Sequence, residues 1–152
     1  GQAAAIAENI LAMFSLRVPI VTCVIGEGGS GGALGIGIAD RVMMMQYSYY
    51  SVISPEGCAA ILWKDAERTP DAAAALGLTA STLIDLKIVD QVVEEPPGGG
   101  HRNPTQAMDN LGRALVDALD DLAVIPTDRL IAERREKFRR VGAIEGRFPV
   151  LA

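Results

Sequence analysis

Ile6, Ile10, Met13 and Phe14 recur at helical spacing across Gln2–Leu16, and an apolar stripe of that period predicts a core-facing helix. Pro19 stops it. Ile20–Ile25 then runs apolar without interruption, with Val, Ile and Thr prominent, the pattern of a strand covered on both faces as in a parallel sheet. This run empties into Gly26-Glu27-Gly28-Gly29-Ser30-Gly31-Gly32 before small and apolar residues resume, so a tight turn and a helix over Ser30–Ala39 are expected. Val42–Gln46 predicts another buried strand, and Tyr47–Ile53 an extended aromatic and β-branched segment. Ser54-Pro55-Glu56-Gly57 reads as a turn before a short helix over Cys58–Lys64. Thr69-Pro70 gives an N-cap with proline first in the helix, ahead of an alanine run that ends at Gly77. Thr79 starts a further short helix, and Ile88–Val93 reads as a last strand.

Strands alternating with helices make this an α/β chain. Glu94–Pro104, rich in Pro and Gly, predicts a loop, which divides the α/β part (1–97) from a loop and helical extension (98–152). In that extension Asn103 caps a helix with Pro104 first and Gln106 at the capping-box position, and Met108, Leu111, Leu115, Leu119 and Leu122 form its stripe. Thr127 is expected to cap a final helix in which Arg129, Arg134, Arg135, Lys137, Arg139 and Arg140 face only Glu133 and Glu136 in opposing charge. Such a helix is either a solvated basic face or a docking surface for an acidic partner.

Composition narrows the function classes. The 152 residues are 49% apolar, enough for one core, and no uncharged apolar run is long enough to predict a membrane span. A net charge of -5 argues against nucleic-acid binding, which needs a basic surface. Two cysteines, Cys23 and Cys58, and the single His101 cannot form a zinc or disulfide framework, so no metal is expected. Unpaired buried thiols and the lack of a signal peptide point to the cytoplasm. The abrupt opening inside a helical pattern at Gly1 suggests a piece of a longer chain.

The glycine turn carries the chemistry. The first amides of a helix have no partner within it, and together with the helix dipole they favour a negatively charged oxygen; glycine lets a ligand approach closely. Three readings stand at this point. Gly26-x-Gly28-x-x-Gly31 fits a dinucleotide fingerprint, although the following strand ends in Gln46-Tyr47 where an acidic residue should hold a ribose. Gly28-x-Ser30-x-Gly32 fits the nucleophile elbow of a serine hydrolase, with Asp65, Asp71, Asp85 or Asp90 and then His101 in the right order. The third reading is an amide pair holding an oxyanion with no nucleophile nearby. Glu27 and Glu56 are candidate carboxylates, with Glu56 also suited to a helix start. Tyr47, Tyr49 and Tyr50 are expected either to pack in the core or an interface or to line a ligand face.

Several separated motifs bear on the choice: Val18-Pro-Ile-Val-Thr-Cys-Val-Ile-Gly26, Glu27-Gly-Gly-Ser-Gly-Gly-Ala-Leu34, Ala39-Asp-Arg-Val42, Ser51-Val-Ile-Ser-Pro-Glu-Gly-Cys58, Ile61-Leu-Trp-Lys64, Leu86-Lys-Ile-Val-Asp90 and Gly99-Gly-His-Arg102. Together they resemble the crotonase superfamily and, within it, the alpha-type carboxyltransferase subunits of bacterial acetyl-coenzyme A carboxylases. The resemblance implies a partial crotonase-like ββα spiral with a helical tail, and a site in which the backbone of Gly31 and Gly32 forms an oxyanion hole, with Gly28, Gly29 and Ser30 in contact with substrate. It also implies biotin carried on a separate biotin carboxyl carrier protein, acetyl-CoA as acceptor, and a beta subunit as partner in an alpha2beta2 assembly. On that basis carboxybiotin gives its carboxyl to acetyl-CoA to form malonyl-CoA, with the biotin ureido nitrogen taking the methyl proton. Leu34 stands where the superfamily's hydratases carry a proton-transferring acid, which suits a carboxyltransferase. The other oxyanion donor of the superfamily comes from an earlier loop, so this chain holds half a site. The alternatives are a serine acyl hydrolase using Ser30 and a non-catalytic assembly subunit. The transferase reading requires free amides near residue 31 that open onto a cavity wide enough for a biotin ring.

Overall fold

The computed structural model describes residues 1–142, so the expected extension to residue 152 is seen only as far as Gly142. The described residues form seven helices and five strands, in the order α1 (Gln2–Ser15), β1 (Val21–Val24), β2 (Glu27–Gly29), α2 (Ser30–Ile36), β3 (Arg41–Met45), β4 (Tyr49–Ser51), α3 (Pro55–Leu62), α4 (Thr69–Leu76), α5 (Ala80–Asp85), β5 (Gln91–Val93), α6 (Pro104–Ala123) and α7 (Thr127–Arg140). A single 3-10 turn, Ala66–Arg68, precedes α4.

All strand pairing within the two sheets is parallel. β1, β3 and β5 form one sheet in the order β1-β3-β5, and β2 pairs with β4 in a second. The first sheet is buried on both faces, as its sequence predicts. Val42 and Met44 point to one side, where Val24, Ala80, Leu83 and Val89 meet them. Met43 and Met45 point to the other, against Ala107, Ala114 and Ala118 of α6. This alternation is the two-residue period of a pleated strand with cover above and below.

Element boundaries moved for local reasons. The glycine stretch is not only a turn: Glu27–Gly29 is a strand in register with Tyr49–Ser51. Helix α2 stops at Ile36, with Gly37 as its C-cap, short of the expected Ala39. Ser54 is an N-cap rather than a turn residue, since its hydroxyl accepts the Gly57 N–H at 3.1 Å and Pro55 begins the helix. Thr69 lies inside α4 behind Arg68, and Pro126 precedes α7 in the place expected for Thr127. Asn103 caps α6 as predicted, accepting the Gln106 N–H at 3.2 Å. The face that α6 buries is, however, set by small residues: Ala107, Ala114, Ala118 and Leu122 are buried while Met108 and Leu119 are 64% and 43% exposed. Alanines let the helix axis approach the sheet, and longer side chains are left at the margins. The stripe of α1 is as read, because Ile6, Ile10, Met13 and Phe14 are its only partly covered positions.

Helix α7 closes the structure. The Arg134 guanidinium, 1% exposed, donates to both carboxylate oxygens of Asp40 at 2.8 Å and to the carbonyls of Met13, Leu16 and Val18 at 2.9 Å. These bonds use all five of its N–H donors. Asp40 in turn accepts the Ile20 N–H at 2.7 Å. One helical turn later Lys137 pairs with Asp90, whose carboxylate accepts the Val42 N–H at 2.7 Å. Each aspartate thus precedes one strand and takes an amide from the neighbouring segment, and each is held by a cation of α7. The basic character of α7 is therefore only partly a solvated face. Arg129 and Arg140 make surface pairs with Glu133 and Glu136, whereas Arg134 and Lys137 are tied into the body of the chain.

Candidate functional site

β1 ends at Val24, β2 carries the chain into the second sheet, and α2 starts immediately after Gly29. Gly29 is extended, Ser30 takes a left-handed φ of +60°, and no side chain caps the helix. The amides of Ser30, Gly31 and Gly32 therefore fall in the first turn, where no carbonyl of the same helix lies in reach. The side-chain bonds around α2 run from Thr22, Tyr49 and Tyr50 to other acceptors and leave the Gly31 and Gly32 amides untouched, while the parallel pairing of Gly29 with Ser51 directs the Ser30 amide into the β2–β4 ladder.

The amide face is open. Gly29, Ser30 and Gly32 are exposed and Gly31 is half-buried. A Cβ at Gly32 would meet no atom within 4 Å, and one at Gly31 would lie 3.0 Å from Ile6 Cδ1. A cavity is expected at this point from the sequence; of five cavities among the described residues none is lined by Gly31 or Gly32. The apolar cavity beside α2, about 400 Å³, lies toward its other end, lined by Leu34, Gly37, Ile38, Tyr50, Val52 and Phe138 among others. Gly28 is buried, its missing side chain replaced by the Tyr50 ring, with Cδ2 2.6 Å from where a Cβ would stand.

The remaining candidates separate. Ser30 has the strained backbone of a nucleophile elbow, yet among the described residues no histidine or carboxylate hydrogen-bonds to its hydroxyl. His101 is exposed with its ring over Gly99. Ser30→Gly would remove both the hydroxyl and the strain, which for an L residue in this region is on the order of 1 kcal/mol. Thermal unfolding should show a gain of about 0.5 to 1 kcal/mol; loss of an acyl-ester hydrolysis activity from the well-folded variant would instead identify a serine nucleophile. Glu27 is exposed and accepts the Tyr49 hydroxyl at 3.2 Å, and Glu56 sits in the first turn of α3. Tyr47 is 63% exposed and Tyr49 38%, while Tyr50 is built into the interior.

Both cysteines are free thiols. Burial pushes the Cys23 thiol up to about 11, and because the thiolate is the reacting form it is unsuited to nucleophilic work at neutral pH. Alkylation of Cys23 by iodoacetamide at pH 8 should run at least about 100-fold slower than that of an unperturbed thiol, and should match it only after denaturation. Among the described residues no group of three or more His, Cys, Asp or Glu could hold a metal ion, and no helix is long and apolar enough to cross a membrane.

The sequence reading gave Thr22 no role, left Tyr50 between packing and a ligand face, and placed Arg134 among six basic residues without naming a buried partner. A faint signal existed for Arg134: Asp40, between a buried alanine and a buried strand, needs a partner. Nothing in the sequence indicates which of the six basic residues of α7 supplies it.

Comparison with known proteins converges on one family. The profile described as acetyl co-enzyme A carboxylase carboxyltransferase-like matches residues 1–142. The acetyl-coenzyme A carboxylase carboxyl transferase subunit alpha of Xanthomonas oryzae pv. oryzae is 55% identical over 147 residues, 97% of this chain and 46% of that protein. The same subunit of Thioalkalivibrio sulfidiphilus is 58% identical over 134 residues, 88% of this chain and 42% of that protein. The chain thus spans about half the length of the curated relatives it matches. Among solved structures, a Pseudomonas malonate decarboxylase hetero-tetramer in complex with coenzyme A aligns with a TM-score of 0.70 at 20% identity over 93% of this chain and 57% of that one. Transcarboxylase 12S aligns with a TM-score of 0.50 at 23% identity over 68% of this chain and 22% of that one. At such identities the likeness concerns the fold, which is the partial crotonase-like α/β arrangement with parallel sheets that the sequence implied.

Proposed function

We propose, given that this chain belongs to the acetyl co-enzyme A carboxylase carboxyltransferase-like family, that it forms part of an alpha-type subunit moving a carboxyl group from carboxybiotin to acetyl-CoA to make malonyl-CoA. The observation that carries this reading is the extent of the likeness: more than half of all positions are shared across 97% of the chain, with the glycine turn inside the matched span.

Carboxybiotin, brought as a substrate on a biotin carboxyl carrier protein, supplies the carboxyl group and an oxygen on which negative charge grows as that group departs. The Gly31 and Gly32 amides bind that oxygen. The open space beside Gly32, which a Cβ would occupy without touching the protein, suits the approach of a planar ring. Gly28, Gly29 and Ser30 shape the approach. Donors aimed at a developing oxyanion are each worth about 3 to 4 kcal/mol of barrier lowering, so a backbone pair alone carries a large share of the catalysis. Leu34, 50% exposed, is chemically inert and cannot relay a proton, in keeping with carboxyl transfer rather than hydration. Because the amide face is uncovered, its enclosing wall comes from elsewhere: the portion of the subunit beyond this chain and a beta-type partner in an alpha2beta2 assembly. Two free thiols, of which Cys58 is buried, suit a cytoplasmic setting.

Reconstitution tests this. The full-length subunit, assembled with a beta-type partner and supplied with carboxybiotin and acetyl-CoA, should yield malonyl-CoA, followed by transfer of labelled carboxyl. Assembly without product would leave the non-catalytic role as the better account.

A further inference from the structure

Helix α2 cannot hold itself in place. Its seven residues include Gly31, Gly32 and Gly35, and no side chain caps its start; glycine is among the poorest helix formers, and a helix of this length is not self-supporting. Its carbonyl end is gripped from outside by two hydroxyls on strands of different sheets. Thr22 in β1 donates to the Ile36 carbonyl at 2.9 Å. Tyr50 in β4 donates to the Ala33 carbonyl, which also accepts the Gly37 N–H at 3.0 Å. The Tyr50 side chain fills the spaces left by two absent side chains: a Cβ on Gly28 would lie 2.6 Å from its Cδ2, and one on Gly37 would lie 2.6 Å from its hydroxyl oxygen. One ring is thus wedged between the strand that enters the amide turn and the end of the helix that leaves it. Burial pushes the Tyr50 phenol above its ordinary range, so the group stays protonated and continues to donate at neutral pH.

We propose that Tyr50 and Thr22 are positioning residues that set the aim of the Gly31 and Gly32 amides by fixing α2 from its far end. This rests on the amide reading given above. A short rod joined to its strand through Gly29 is free to pivot there unless its other end is tied. Two hydroxyls on separate sheets remove that freedom, and misplacement of a catalytic group by about 1 Å can cost on the order of 100-fold in rate.

The test uses the full-length subunit assembled with its partner. Tyr50→Phe keeps the ring between Gly28 and Gly37 and removes only the donor; Thr22→Val does the same at the other anchor. In each variant the Gly37 and Ile38 amides, which close the end of α2, should exchange with deuterium at least about ten-fold faster while β1 and β3 keep their protection. At the same time kcat should fall about ten-fold with the KM for acetyl-CoA unchanged. Gly35→Ala, placed where a Cβ meets nothing within 4 Å, should stiffen the helix and restore most of the lost kcat in the Tyr50→Phe background. Unchanged exchange would overturn the anchoring, and faster exchange with full kcat would overturn the positioning role. Protection lost across β1 and β3 together would also overturn it, by showing general destabilisation. Failure of the amide reading itself would appear separately, as full turnover by Gly32→Val with α2 exchanging at the wild-type rate.

Discussion

On the mechanism proposed above, Gly32→Val should reduce carboxyl transfer by the assembled full-length subunit about 10²- to 10³-fold, the loss typical of removing one oxyanion donor, while leaving the fold intact. The position makes this a clean experiment. A Cβ added there meets no atom of the surrounding elements within 4 Å, and valine is a better helix former than glycine, so thermal unfolding should not fall. The new methyl groups would stand in front of the amides and keep the acceptor oxygen from reaching them. Gly31→Val is the less informative choice, since its Cβ would lie 3.0 Å from Ile6 Cδ1 and crowd that side chain. Size-exclusion chromatography with the partner, a melting curve and a transfer assay separate these effects. Undiminished turnover in Gly32→Val would remove the backbone from the mechanism.

Arg134→Ala should be the most destabilising single change among those argued here, by about 3 to 5 kcal/mol in urea unfolding. It would strand the Asp40 carboxylate, 5% exposed, and leave the carbonyls of Met13, Leu16 and Val18 without their shared donor. Natural domains hold only about 5 to 15 kcal/mol in reserve, so much of the native population is at stake. Arg134→Lys should recover little of the loss, because an ammonium has three donors and no planar fork to engage both oxygens of Asp40. In the double variant Arg134→Ala with Asp40→Ala the penalties should add to less than their sum, as expected for groups in direct contact. Full additivity would show that the pair contributes nothing as a pair.

The two predictions differ in how far the sequence revealed their basis. The glycine turn was legible because its chemistry is local: a strand, a break and a helix start follow from neighbours in the chain, and the amides left bare at a helix start need no tertiary information. The parallel, doubly covered sheet was legible for a similar reason, through the unbroken apolar run from Ile20 to Ile25 and the Val42–Gln46 segment. The strand within Glu27–Gly29 was not, because two of its residues are glycines with no β preference and only the pairing with Tyr49–Ser51 makes it a strand. Tyr50 read as one of three similar tyrosines, and its place between Gly28 and Gly37 depends on the register of two strands far apart in sequence. Arg134 lay in a run of basic residues that pointed outward to solvent or an acidic partner. Its true partner, Asp40, is 94 residues away in the same chain, a distance over which no spacing rule operates.

The Arg134 fork binds carbonyls 116, 118 and 121 residues earlier, so the edge of the sheet where β1 and β3 begin stays unfastened until almost all of the described polypeptide has left the ribosome. Contacts of such long range slow folding and prolong exposure of unpaired segments. An interrupted translation product that stops short of α7 would carry the complete glycine turn yet lack its closing clasp, which makes it a natural client for chaperones and proteases.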